Sequence, residues 1–173
     1  PLKVVIENLP EDHEEILEAI NHPEHPDLGT RPLAFGREIY IEQDDFMEDP
    51  PKKFFRLKPG GEVRLRYAYI LKCESVIKDE TGNVIELRAS IDPDSKRGGA
   101  TSGRKVKGTI HWVSAKHAVD AEVRLYDRLF KAEEPDGQKD GTDYRELLNP
   151  DSRIILKGCK LEASLSEAPA ENR

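Results

Sequence analysis

The residues best suited to chemistry lie between 52 and 66, in the run KKFFRLKPGGEVRLR. Phe54 and Phe55 are interleaved with Lys52, Lys53 and Arg56, a Pro59-Gly60-Gly61 turn follows, and Arg64 and Arg66 come next. Successive side chains of a strand point to opposite faces, so Arg64 and Arg66 share the face away from Val63 and Leu65. Aromatic rings stack on unpaired bases, and arginines pair with phosphates and with guanine edges. The pattern suits an RNA-binding surface. Its plain alternative is a solvated hairpin over buried phenylalanines. A second group, Lys96, Arg97, Arg104 and Lys105, lies in a glycine-rich stretch. Cations there would add affinity for an RNA backbone without preferring a base.

Nothing else in the chain carries chemistry as well. It has no GxxxxGK[ST], GxGxxG or GxSxG, and no HIGH or KMSKS signature, so no catalytic residue is expected. His22 and His25 are three apart, but Pro23 and Pro26 deny them a helix and no third metal ligand is suitably spaced. Asp44, Asp45, Glu48 and Asp49 lack the spacing of a calcium loop and read as a solvated acidic surface. His111, beside Trp112 in a strand pattern, reads as a packed histidine. No metal is expected.

The charge balance sharpens this reading. The chain has 27 Lys and Arg against 34 Asp and Glu, a net charge of −7 and a pI near 5.3. The total argues against a polyanionic partner, but the distribution argues for one. Residues 1–51 hold three basic and fourteen acidic side chains, residues 52–72 hold seven basic and one acidic, and residues 96–107 hold five basic and no acidic. A polyanion needs local positive potential, not a positive total.

The elements that must position these residues read as mostly β. Residues 4–6 are a short apolar strand ended by Asn8 and Pro10. Residues 31–42 form a strand with Phe35, Ile39 and Ile41 packing. Residues 62–78 form the clearest strand, joined through a turn at 79–83 to an alternating strand at 84–91. Residues 93–104 read as a mobile basic loop. Residues 105–114, 121–130 and RIILKG at 153–158 are further strands, with one helical turn at 144–148 between them. Residues 13–20 have helical propensity, with Ile16, Leu17 and Ile20 on one face. The C-terminal SEAPAENR has no apolar pattern and reads as frayed. Short strands separated by turns suggest a barrel or sandwich. At 173 residues, 36% hydrophobic and 35% charged, the chain can bury a core but has no apolar run long enough to span a membrane. Cys73 and Cys159, with no CxxC, read as reduced thiols of a cytoplasmic protein.

Several segments carry a resemblance. GEVRLRYAYILK at 61–72, GRKVKGTIHWVSAKHAV at 103–119 and EVRLYDRLF at 122–130 resemble the C-terminal anticodon-binding region of bacterial-type glutaminyl-tRNA synthetases. VVIENLP, NHPEHPDLGTRPLAFGREIYIEQDDF and LNPDSRIILKG match the same region in the same order, so nearly the whole chain is covered. Archaeal and eukaryotic-type glutamyl-tRNA synthetases share the architecture, but IHWVSA and VRLYDRLF fit the glutaminyl branch better. The resemblance implies an all-β fold of two packed β-barrels, related to a ribosomal protein that binds 5S rRNA. Residues near 30–130 would build a distal barrel, and residues near 1–29 and 131–173 would be parts of a proximal one. It also turns residues 13–20 into a strand. The catalytic half would precede Pro1 and further strands would follow Arg173, leaving the second barrel incomplete.

The resemblance further implies that Arg56 reads the third anticodon base, a guanine, and that Arg64 and Arg66 hold the first base and its phosphate. Lys52 and Lys53 join them as RNA contacts. The implied partners are the anticodon loop of glutamine tRNA and the catalytic domain of the same polypeptide, with neither DNA nor a membrane. ATP and Mg²⁺ would serve the parent ligase, and this chain would need no cofactor. The rivals are the same module of a glutamyl-tRNA synthetase, a ribosomal-type rRNA-binding protein, and a protein-interaction β domain with a solvated basic face.

Overall fold

The computed structural model describes residues 1–96, 99, 103–137 and 141–169. The chain divides into two compact units, residues 1–119 with 160–173, and residues 120–159. The first unit is organised by β1 (Leu2–Ile6), β2 (Glu14–Ile20), β3 (Thr30–Gly36), β4 (Glu38–Ile41), β5 (Glu62–Leu65), β6 (Ile70–Lys78), β7 (Val84–Asp92), β8 (Thr109–Ile110) and β9 (Val113–Ser114). The second is built on β10 (Val119–Tyr126) and β11 (Arg153–Leu161). No helix among the described residues is long and apolar enough to cross a membrane.

Seven strands form one sheet in the order β8-β5-β6-β7-β1-β4-β9. The two edge strands are neighbours in sequence, with only His111 and Trp112 between Ile110 and Val113. At about 3.8 Å per residue, three steps hold the two edges within roughly 11 Å of each other. The sheet therefore curls into an open, barrel-like half-shell, and the side chains inside it form the core. Leu2, Val4, Ile6, Ile39, Val63, Leu65, Leu71, Leu87 and Trp112 are all buried there. Trp112, between the two edges, packs edge-on against Phe35 with ring centroids 5.1 Å apart.

The sheet joins local pairs to distant ones. β6 and β7 form the antiparallel hairpin expected from alternation around the 79–83 turn. β1 runs parallel to β7 and antiparallel to β4. Asn8 extends the β1–β7 contact past the end of β1. Its side chain donates to Ile91 O at 2.8 Å and accepts from Ile91 N at 2.9 Å. Residues 14–20, helical by propensity, are instead β2, paired antiparallel with β3 from Glu14↔Gly36 to Ile20↔Thr30. Burial of Leu17 and Ala19, while Glu14, Ile16 and Glu18 stay exposed, favours the period of a strand.

Three expected single strands are broken. The run 31–42 divides into β3 and β4 around Arg37, in two different sheets. The run 62–78 folds back on itself as the β5–β6 hairpin, pairing Glu62 with Lys72 and Arg64 with Ile70. The run 105–114 supplies β8 and β9 to opposite edges of the sheet. Alternation identifies the buried face of each run, but it cannot say where a strand exchanges one neighbour for another.

In the second unit, β10 and β11 form a two-stranded ribbon. Residues Tyr144–Leu147 make the expected single helical turn. Asn149 holds the connection, its backbone N donating to Leu129 O and its side chain to Arg128 O. Leu125, Tyr126, Ile154, Ile155 and Leu156 are exposed on this ribbon, and two strands alone do not close a barrel.

Candidate nucleic-acid interface

Arg56 is mounted on a short, firmly tied segment. Residues Gln43–Asp45 form a 3-10 turn, after which Phe46 and Leu57 pair as an isolated parallel bridge. Leu57 N donates to Asp45 O at 2.9 Å and Met47 N to Leu57 O at 3.1 Å. Leu57 is fully buried, so Arg56 beside it points outward from a fixed backbone. Its Nε lies 3.2 Å from Asp45 Oδ1, and its Nη1 donates to Asp44 O, also at 3.2 Å. Asp45 is buried rather than part of a solvated acidic surface. Burial pushes its carboxyl pKa up, and the Arg56 guanidinium pulls against that shift. The segment leaves no room behind it. A Cβ on Gly108 would stand 1.9 Å from Phe55 O, and Gly108 O accepts from Arg64 N at 2.9 Å.

Arg66 leaves β5 at the turn that closes the β5–β6 hairpin. Leu65 N donates to Tyr69 O, and Ala68 N to Leu65 O. Tyr67 inside this turn has φ of 66°, the one described non-glycine residue in the left-handed region. A bulky residue there is strained, and such strain persists where the surroundings over-determine it. The constraint here is the core. Trp112 Nε1 donates to Arg66 O at 3.0 Å, and Arg66 N donates to Ile110 O at 3.0 Å. The exposed Arg66 guanidinium stacks 5.2 Å from the Tyr67 ring. Among the described residues it has no hydrogen-bond or ion-pair partner.

The other expected cations divide into tied and open ones. Arg64 donates to Ser95 O at 3.0 Å and to Arg104 O at 3.2 Å, so it staples the start and end of the basic loop. Arg104 is paired with Glu62 at 2.7 Å and Asp92 at 3.2 Å. Lys96 reaches Glu15 at 2.5 Å, and Tyr69 Oη donates to the other oxygen of the same carboxylate at 2.5 Å. Burial alone would push Glu15 up, but these two hydrogen bonds hold it below the usual carboxylate range. The loop expected to be mobile is therefore anchored where it is described. Ser95 is fully buried and its Oγ accepts from Ile70 N at 2.7 Å. Lys52, Lys53 and Lys105 are exposed and have no hydrogen-bond or ion-pair partner among the described residues. Arg97 lies outside the described residues. Phe55, an expected stacking ring, is 49% exposed, and Lys107 Nζ lies 5.4 Å from its centre.

Three cavities adjoin along this surface. The first, about 410 Å³, is lined by Arg56, Arg66, Glu42, Asp45 and His111. The second, about 230 Å³, shares Arg66 and His111 with the first and adds Tyr67, Arg31 and Glu162. The third, about 690 Å³, shares Tyr67 with the second and adds Arg64 and Lys96. Arg31 is fixed by a two-pronged pair with Glu162 at 2.5 and 2.8 Å, and this pairing holds the Glu162 carboxyl below its usual range. A row of adjoining cavities with guanidinium groups on their walls suits unstacked bases, each taken singly, with phosphates between them. Sequence reasoning missed Tyr67, Asp45 and His111. His111 is exposed in the cavity wall while Trp112 beside it fills the core. Only the Arg66-Tyr67 dipeptide, a cation next to an aromatic, carried a signal.

The chain has close relatives. The family model for the anti-codon binding domain of class I tRNA synthetases (E and Q) matches residues 1–92, and a second model of the same description matches residues 109–173. A glutamine–tRNA ligase of Bradyrhizobium diazoefficiens is 58% identical over 97% of this chain and 29% of its own length. Those of Xanthomonas campestris pv. campestris and Pseudomonas syringae pv. tomato are each 53% identical, over 99% and 100% of this chain. The chain thus spans about 29–30% of the length of these relatives.

Proposed function

Since the chain belongs to the anticodon-binding domains of the class I tRNA synthetases for E and Q, we propose that it is the anticodon-recognition module of a glutamine–tRNA ligase. The parent enzyme would activate glutamine with ATP and Mg²⁺ and esterify the 3′ end of its tRNA. The chain has none of the phosphate-binding or class I signature motifs, so that chemistry is assigned to the rest of the ligase. Its own task is to grip and read a splayed anticodon loop.

The observation that carries this reading is the row of three adjoining cavities joined through Arg66 and Tyr67. Side chains cannot read stacked bases in a deep RNA groove, but an anticodon loop offers unstacked ones. Arg56 is the base reader in this scheme. A guanidinium carries five N–H donors. The Asp44 carbonyl engages one of them and the Asp45 carboxylate stands as an ion pair 3.2 Å from Nε, which steadies the group and leaves enough for a fork onto guanine O6 and N7. Arg66, its guanidinium stacked on Tyr67 and without a hydrogen-bond or ion-pair partner among the described residues, takes a neighbouring base or its phosphate. Arg64 stands at the third cavity, steadied through the carbonyls of Ser95 and Arg104. Lys52 and Lys53 contact the backbone, and the cations at 96–105 add attraction without base preference.

The test is binding of the ligase that carries this chain to the glutamine anticodon stem-loop and to the same stem with an unrelated loop. The first should bind more tightly, and Arg66→Ala should remove much of that advantage. Equal binding of the two hairpins by the unmodified protein would sink the proposal.

A further inference from the structure

We infer that Glu42 is a second specificity-determining residue of the Arg56 cavity, accepting hydrogen bonds from the Watson–Crick edge of the guanine whose O6 and N7 Arg56 reads. The inference rests on the reading of Arg56 given above. Glu42 and Asp45 bring two carboxylates to the same cavity as Arg56 and Arg66. The two acids are not equivalent. Asp45 is buried and committed to Arg56. Glu42 is exposed, and among the described residues its carboxylate has no hydrogen-bond or ion-pair partner. Its backbone is fixed at both sides, because Ile41 before it is buried at the end of β4 and its own carbonyl accepts from Asp45 N at 3.1 Å.

A carboxylate only accepts, and a guanidinium only donates. A cavity offering both is complementary to a base with acceptors on one edge and donors on the next. Guanine meets that description, with O6 and N7 on one edge and the N1–H and N2–H₂ groups on the adjoining one. Adenine lacks the N2 amino group and has a lone pair at N1, so a carboxylate there would face an acceptor. The Arg56 fork checks one edge, and Glu42 checks the other. An unpaired carboxylate beside a phosphate chain is otherwise a liability for RNA binding. Arg66 in the same wall offsets it.

The experiment uses the full ligase and anticodon stem-loops carrying guanine, inosine or 7-deazaguanine at the third anticodon position. Inosine lacks only the N2 amino group, and 7-deazaguanine lacks only N7. Each penalty is a ratio between two RNAs on the same protein, so it does not depend on how much of a variant is folded. The unmodified protein should bind the inosine RNA about tenfold more weakly, as for one lost hydrogen bond to a charged acceptor, and Glu42→Ala should shrink that penalty to about twofold or less. Glu42→Ala should keep the 7-deazaguanine penalty, and Glu42→Gln, which retains an acceptor, should keep part of the inosine penalty. No inosine penalty in the unmodified protein, or an undiminished one in Glu42→Ala, overturns the role of Glu42 alone. No 7-deazaguanine penalty, or one undiminished in Arg56→Ala, overturns the reading of Arg56 and the inference with it.

Discussion

Replacing Arg56 by alanine should separate reading the anticodon from holding the fold. One of the five guanidinium donors is occupied, by Asp44 O at 3.2 Å, and Nε is ion-paired with Asp45 Oδ1, also at 3.2 Å. The remaining donors suffice for one two-pronged contact, which is worth about 1–3 kcal/mol of discrimination against a wrong base. Alanine also leaves the Asp45 carboxylate, 8% exposed, without its cation. An unpaired buried acceptor costs about 1–3 kcal/mol of stability. Arg56 itself is 53% exposed and water screens the pair, so the low end of that range applies. The stability loss is the same whichever RNA is present, and the discrimination is not. The assay is therefore the dissociation constant for stem-loops with guanine or adenine at the third anticodon position, at one fixed salt concentration. Arg56→Ala should weaken the guanine RNA by a factor of roughly 5 to 150 and the adenine RNA much less. Arg56→Lys should restore the charge beside Asp45, and with it the melting temperature, but not the discrimination, since an ammonium cannot fork. Equal losses on the two RNAs would mean that Arg56 contacts phosphate or only supports the fold, and the donor accounting would be wrong.

Lys52→Ala and Lys53→Ala should each weaken guanine and adenine RNAs alike. Each should lower the slope of log K against log salt by about 0.7, as for one single-strand phosphate contact; an unchanged slope would remove that lysine from the interface. Gly108→Ala forces a methyl group against Phe55 O, so it should cost about 1–3 kcal/mol in stability and displace the segment that carries Arg56. An unaltered melting temperature would show that the segment yields freely. Glu162 is held below its usual pKa by Arg31, so its contribution is complete above the unfolded-state value near 4.5 and is lost as pH falls through the lower folded-state value. Glu162→Gln should therefore cost about 1 kcal/mol or less at pH 7, Arg31 being partly exposed, and nearly nothing once the carboxyl is protonated. A loss independent of pH would point to packing instead of charge.

Local pattern determined a good part of this protein. The β6–β7 hairpin was legible because alternating runs flank a turn at 79–83 whose Asp79, Gly82 and Asn83 suit a tight reversal. The Pro59-Gly60-Gly61 turn was legible for the same reason, and Gly60 does take a φ of 67°. The basic stretch with its aromatics stood out as the candidate RNA surface, because charge clusters are visible without a fold. What lay beyond the sequence was set by pairs far apart along the chain. Whether Glu14–Ile20 forms a helix or a strand depends on β3, which supplies the partner hydrogen bonds. The break at Arg66 and Tyr67 depends on Trp112, 46 residues away from the carbonyl it holds. Lys96 is tied to Glu15 across 81 residues, and Arg31 to Glu162 across 131. Asp45 and His111 exchange their expected environments for the same reason. A residue type states what a side chain prefers, but burial is decided by which distant strands close over it. The curling of the sheet, which brings β8 and β9 together around Trp112, places Arg56, Arg66, Glu42 and His111 around one cavity.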